Sequence, residues 1–315
     1  MNDLETGFGD ISVEEKCYRI AKNSELGRHI LVTKNVKKGD IIFKDYPLVT
    51  GPSRESAPCC VSCYKLLDLS AEAGSEDITD VEEDEEAAPY VRCPKCGWPL
   101  CSLECAQNPR HAAECFFLSK VCHQNGNGTI YLIIRPFQAG VEFGPDDTDS
   151  LYDVVTVLRC LYLMNTDKKA WEALLSLQEA NPEALDKELA NRAKMVTALI
   201  CGTFGLGDIF PLPLVFDICT RLDINSFEVP LSRSSATVQG VYSVACMVEH
   251  NCIPTGHRYN LQNSLQIRMA IMAREKLKMC HKILNQQYIK ESINIFIHII
   301  FMIQFFVCSD VSTQT

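Results

Sequence analysis

The stretch CPKCGWPLCSLECAQNPRHAAEC, Cys93 to Cys115, carries six residues of soft-metal-ligand type. With two cysteines upstream, the pattern reads Cys60-x2-Cys63, Cys93-x2-Cys96, Cys101-x3-Cys105 and His111-x3-Cys115. Each short spacing lets two side chains of one turn grip one ion. Eight such ligands fill two tetrahedral Zn²⁺ sites and leave no open position, which makes the region a structural module and not a reaction centre. Spacing alone leaves open whether the pairs serve the two ions in series or interleaved. Disulfides are the competing reading, and they need an oxidising compartment. No signal-peptide pattern opens the sequence. Of the 17 cysteines, the ten outside the seven proposed ligands show no paired spacing. Both points suit a reducing, intracellular setting, in the nucleus or the cytoplasm. Cys59 competes with Cys60, and the Cys-x2-Cys spacing favours Cys60.

The 29 residues between Cys63 and Cys93, an insert over 64–92, hold nine carboxylates from Glu72 to Glu86 and no Lys or Arg in that span. Such a run predicts a solvated, disordered loop, or a docking tail for a basic partner. The net charge of −10 falls to about −1 without those nine groups, and no basic patch remains. Direct binding of nucleic acid is therefore not expected. At 315 residues and 47% apolar content, one to three domains with a substantial core are expected.

Around the cysteine module the periodicity changes twice. Residues 17–50 alternate apolar and polar side chains, with Lys38-Gly39-Asp40 as a turn. Val32, Val36, Ile41 and Phe43 are the candidate core there. Residues 129–144 are ambiguous between strand and helix. Over 145–223, Leu151, Val154, Val155, Leu158, Leu161 and Tyr162 recur at helical spacing, and Trp171, Leu174 and Leu175 continue the stripe. Asn181-Pro182 reads as a helix start, and Pro211 and Pro213 precede a helix ending near Leu222. From 224 to 278 the texture is again that of strands. The economical reading is α+β: a β-rich domain split by a zinc module (59–115) and by a helical insertion.

The cysteine order resembles the MYND zinc finger. The resemblance implies interleaved pairing, with Cys60, Cys63, Cys101 and Cys105 on one zinc, and Cys93, Cys96, His111 and Cys115 on the other. The whole layout resembles the SMYD family, in which a MYND finger splits a SET domain. ELGRHILVTKNVKKGDIIFKDYPLV, residues 25–49, is similar to the opening SET strands. INSF (224–227) and GVYSVACMVEHNCIP (240–254) are similar to the later SET core. Family members transfer a methyl group from S-adenosylmethionine to a protein lysine. The resemblance implies Gly27 and Arg28 near that cofactor, Asn225 as a polar contact, Glu249 in the cofactor motif and His250 beside the adenine. It also implies a protein partner, either a substrate lysine or a proline-rich peptide held by the zinc finger in transcriptional repression.

The sequence departs from the family pattern at several points. Glu249 stands where the motif has Asn, Asn251 where it has Ser, and Thr255 where it has Asn. A carboxylate accepts hydrogen bonds and cannot donate as an amide does. His29 stands where a second Gly is common. After residue 278 the expected catalytic tyrosine and Cys-x-Cys-x2-Cys cluster are not found, and an apolar tail (279–315) takes their place. No catalytic residue is assigned, so the chain's own activity is in question and a non-catalytic adaptor is the alternative. Ile293 to Val307 is 15 residues without Asp, Glu, Lys or Arg, short of the roughly 20 that span a bilayer. A membrane anchor is therefore not the favoured reading of the tail, which reads better as an alternative C-terminal end.

Overall fold

The computed structural model describes residues 16–24, 27–72, 87–124, 145–181, 183–231, 236–250, 254–263, 266–278 and 284–285. In chain order the strands before the helices are β1 (Tyr18–Asn23), β2 (Gly27–Val32), β3 (Ile41–Asp45), β4 (Pro47–Pro52), β5 (Leu66–Glu72), β6 (Ala87–Arg92) and β7 (Pro99–Leu100). The helices are α1 (Leu103–Gln107), α2 (Ala112–Gln124), α3 (Pro145–Thr166), α4 (Lys168–Leu175), α5 (Lys187–Ala198) and α6 (Leu212–Asn225). Strands β8 (Ser226–Pro230), β9 (Thr237–Tyr242), β10 (Glu249–His250), β11 (Gly256–Asn263), β12 (Gln266–Ala273) and β13 (Leu284–Asn285) follow. The mix of helices with mainly antiparallel strands is α+β, as the sequence periodicities predict.

The described residues divide into two compact units. One draws on Met1–Phe43, Val248–Arg258 and Ile271–Thr315, the other on Lys44–Met247 and Tyr259–Ala270. In the first unit β1 and β2 form an antiparallel hairpin, with Tyr18 opposite Val32 and Asn23 opposite Gly27. Residues distant in sequence then close the unit. Val36 and Leu277 exchange both backbone hydrogen bonds at 2.9 Å. Gly39 N–H donates to Ala273 O at 2.9 Å, and Ala273 N–H donates to Asp40 O at 3.0 Å. One β unit is thus rebuilt from both sides of the insertions. Strand β13 runs parallel to β10, with Glu249 beside Leu284 and His250 beside Asn285. The sequence reading placed no strand in the tail, and a two-residue apolar-polar pair carries too little pattern to show one.

Val32, Val36 and Phe43 are buried as expected, whereas Ile41 is 44% exposed. The buried side chains of β3 are Ile42, Phe43 and Asp45, so Phe43 and Asp45 keep the alternation, Ile42 is buried on the opposite face, and Ile41 at the strand's start is left exposed. The Lys38–Asp40 turn is present, with Gly39 at φ +89° and Asp40 accepting from Lys37 N–H at 2.9 Å.

The second unit is organised around α3. Its buried stripe comprises Leu151, Val154, Val155, Leu158 and Leu161. It lies on β4, the edge of an antiparallel sheet in the order β4-β9-β8. The approach is so close that a Cβ on Gly51 would sit 2.0 Å from Thr156 Oγ1, so only glycine fits there. Arg192 on α5 pairs with Asp153 of α3 and Asp223 of α6. Phe117 of α2 packs edge-on against Phe210 and Tyr162.

Two expectations need correction here. Asn181 does not cap a helix. Its Oδ1 accepts from Glu183 N–H in a turn, and α5 starts at Lys187 behind Asp186, which accepts from Glu188 and Leu189. Asp186 offers the same capping oxygen five residues on, and the helix uses that one. The insert over 64–92 is not loop at its ends: its flanks are β5 and β6, paired parallel. Leu66, Leu67 and Tyr90 are buried, and this apolar anchoring overrides the acidic average. The carboxylate-rich centre and the ambiguous 129–144 segment lie outside the described residues, as does the apolar tail at 293–307. Among the described residues no helix is long and apolar enough to cross a membrane.

Asp45 holds the turn that leads toward Glu249. Its buried Oδ2 accepts from Val244 N–H at 2.7 Å and from Ala245 N–H at 2.8 Å. Burial raises its carboxyl above the ordinary range, against the lowering effect of the Ala245, Val244 and Tyr46 N–H groups. Asp45→Ala leaves two N–H groups without that acceptor and is expected to destabilise by about 1–3 kcal/mol in urea unfolding. Asp45→Asn keeps an acceptor oxygen and is expected to lose less. Because the folded-state pKa is raised, wild-type stability relative to Asp45→Asn should fall as pH rises through the carboxylate range, then level off. A difference that grows with pH would contradict this.

Candidate metal centre

The eight ligands come from four short local structures. Cys60 and Cys63 lie on a tight turn in which Tyr64 N–H donates to Cys60 O at 2.7 Å and Cys60 N–H to Lys65 O at 2.8 Å. Cys93 and Cys96 lie on a matching turn, with Gly97 N–H on Cys93 O and Cys93 N–H on Trp98 O, both at 2.8 Å. Each turn needs a left-handed residue just after its second cysteine. Gly97 supplies it at φ +75°, whereas Tyr64 does so at φ +65°. A non-glycine residue there costs about 1–2 kcal/mol. The cost is offset because the Tyr64 hydroxyl donates to Thr50 Oγ1 at 2.9 Å and accepts from Arg159 at 3.2 Å. Cys105 sits on α1 just past Cys101. The 3-10 turn Pro109–His111, capped by Asn108 Oδ1 on Arg110 N–H at 2.9 Å, delivers His111, and α2 delivers Cys115.

These elements gather two groups: Cys60, Cys63, Cys101 and Cys105; and Cys93, Cys96, His111 and Cys115. Within each group all ligand atoms lie within 4.8 Å of one another. This is the interleaved arrangement that the MYND resemblance implies. Zinc–sulfur bonds of about 2.3 Å put the sulfurs of a tetrahedron about 3.8 Å apart. The observed separations bracket that value: 3.3 Å for Cys63–Cys101, 3.6 Å for Cys101–Cys105 and 3.9 Å for Cys93–Cys115. Cys96 Sγ lies 3.4 Å from His111 Nε2. Both groups fit a tetrahedral thiophilic cation.

The electrostatics agree. The hydrogen bond from Cys101, with a second from Cys60, pulls Cys63 down to about 4, while the interaction with Cys60 pushes Cys101 up. In the other group Cys115 pulls Cys93 down and pushes Cys96 up. Four crowded sulfurs cannot all ionise without a cation, and a divalent ion removes that conflict.

Sequence reasoning missed the residues behind the second group. Glu114 Oε1 lies 3.0 Å from His111 Nδ1, and both side chains are fully buried. Arg159 Nε donates to Glu114 Oε2 at 2.8 Å. The same guanidinium donates to Thr50 O at 2.7 Å and to Val61 O at 2.8 Å. Burial alone would raise Glu114, but the charge of Arg159 and the hydrogen bonds from Arg159 and His111 hold it below the ordinary range. Two signals were available: Glu114 follows His111 by three residues on a helical path, and Arg159 interrupts an apolar stripe on its buried side.

The candidate cofactor residues are distributed between the two units. In the first, Gly27 has φ +64° and nothing within 4 Å of an added Cβ. Arg28 follows it in β2, and Glu249 and His250 form β10. His29 is buried, and its Nδ1 donates to Gly27 O at 3.2 Å. Asn225 belongs to the second unit, as the last residue of α6. Its amide nitrogen donates to Gln178 O at 2.9 Å and Arg221 O at 2.8 Å, so both of its N–H groups are committed.

Zinc-loaded protein is expected to carry two equivalents of zinc by elemental analysis. Cys93→Ser and Cys63→Ser should each lower this to about one, and a stoichiometry that neither substitution changes would refute the two four-ligand groups.

No protein-family model matches the sequence. The SET domain-containing protein SmydA-8 of Drosophila melanogaster is similar to it. Isoform A is 22% identical over 261 residues, 81% of this chain and 47% of the relative. Isoform B is 24% identical over 256 residues, 78% of this chain and 47% of the relative. The chain thus spans about half the length of the curated relatives it matches. Among solved structures, the SET domain of LSMT bound to lysine and AdoHcy aligns with 89% of this chain and 51% of that chain, at 10% identity and a TM-score of 0.35. The chain is thus similar over most of its length to SmydA-8, a SET domain-containing protein, and its two interleaved ligand groups fit the MYND pattern that its sequence resembles.

Proposed function

We propose that this chain is the S-adenosylmethionine-binding, methyl-transferring portion of a protein-lysine methyltransferase, with two structural zinc ions in the two cysteine groups. The observation that carries this reading is the similarity to a SET domain-containing protein over 81% of the chain. S-adenosylmethionine would supply a methyl group on a sulfonium, and the protein must orient a neutral lysine amine in line with it. Gly27 would let the backbone approach the cofactor, since its conformation admits no ordinary side chain. Arg28, Glu249 and His250 would supply charge and ring contacts to it. Asn225 would contribute only through its carbonyl oxygen. The partner is a protein bearing the target lysine, and the compartment is intracellular, nucleus or cytoplasm.

A second reading, a zinc-dependent adaptor that holds a proline-rich peptide in transcriptional repression, is favoured by one observation. Both N–H groups of Asn225 are spent inside the helical unit, while both four-ligand groups are complete. Calorimetric titration of S-adenosylmethionine into zinc-loaded full chain separates the two. Methyl transfer predicts a micromolar dissociation constant, about −8 kcal/mol, weakened at least tenfold by Gly27→Val. No binding, with a proline-rich peptide bound by wild type and lost on Cys93→Ser, would overturn it in favour of the adaptor.

A further inference from the structure

Two four-ligand groups of the same fold need not hold their ions equally. The first is made of four cysteines, and Cys63 is exposed. The second contains an imidazole, and its ring is held from behind. A carboxylate can only accept, so the 3.0 Å contact between His111 Nδ1 and Glu114 Oε1 fixes the proton on Nδ1. That leaves the Nε2 lone pair facing Cys96, where the ion would sit. Glu114 is itself fixed by Arg159, which also bonds the β4 backbone at Thr50 and the zinc-knuckle backbone at Val61. His111, Glu114 and Arg159 are 0%, 0% and 6% exposed.

We propose that Glu114, clamped by Arg159, is the positioning residue of the Cys93–Cys96–His111–Cys115 site, making its ion the more slowly released of the two and tying release to the seating of α3 on β4. The proposal rests on the reading that both groups bind zinc. Hydrogen-bond partners of this kind fix the tautomer and orientation of a ligating histidine, and losing one typically weakens metal binding about 10–100-fold. No comparable carboxylate–imidazole contact supports the first group among the described residues.

The test is zinc release from the full chain to a chromogenic chelator, followed in time. Wild type should release two ions in two phases, and Cys63→Ser should remove the faster one. Glu114→Gln, which keeps size and an acceptor oxygen but loses the charge facing Arg159, should speed the slow phase about 10-fold or more. Arg159→Lys should act in the same direction, and both should leave the fast phase unchanged. Asp45→Ala lowers the stability of the same unit without touching this chain of contacts, so it should leave the slow phase where it is. Two ions with a slow phase indifferent to Glu114→Gln, or sped equally by Asp45→Ala, would overturn the proposal while the zinc reading stands. Protein that retains no zinc would overturn both.

Discussion

Arg159 reaches four partners from one buried position on α3: the Glu114 carboxylate, the carbonyls of Thr50 and Val61, and the Tyr64 hydroxyl. Those partners belong to α2, β4 and the first zinc knuckle. A guanidinium has five N–H groups in a rigid fork, so one side chain can satisfy several buried acceptors at once. Burying it is tolerable only because Glu114 neutralises it. Removing one partner of such a pair leaves an uncompensated buried charge, typically a loss of about 3–5 kcal/mol. The packing of α3 on β4, the placement of the first cysteine turn and the position of Glu114 behind His111 therefore share a single constraint.

The cysteine region contributes Trp98, Tyr64 and Tyr90, which are among the largest fully buried side chains of the described residues. Tyr152 adds a second tie from α3, with its hydroxyl accepting from Cys59 N–H at 2.8 Å. The strained Tyr64 conformation persists because its hydroxyl is held from two sides.

The surroundings of the proposed methyl-transfer residues are organised differently. In the first unit they depend on backbone pairing between distant segments. Gly27 keeps an open approach, whereas His29 folds onto the Gly27 carbonyl. Asn225 turns its donors into the helical unit.

The sequence by itself determined the eight ligand-type residues that the structure gathers into two groups, because that pattern depends on residue type and short spacing, both local. It also determined the buried stripe of α3 and the strand texture at both ends, through their periods. Local pattern misjudged positions where two options lay a residue or a turn apart: Ile41 against Ile42, and Asn181 against Asp186. It also read the flanks of the acidic insert as loop, because composition averages over buried and exposed residues alike. Only the tertiary structure brought the cysteine pairs together into two groups, and showed that Val36 meets Leu277 and that Arg159 and Glu114 stand behind His111. Those are contacts between residues far apart in the chain, where a lone charge in an apolar stripe marks that a partner exists and only the packing says which one.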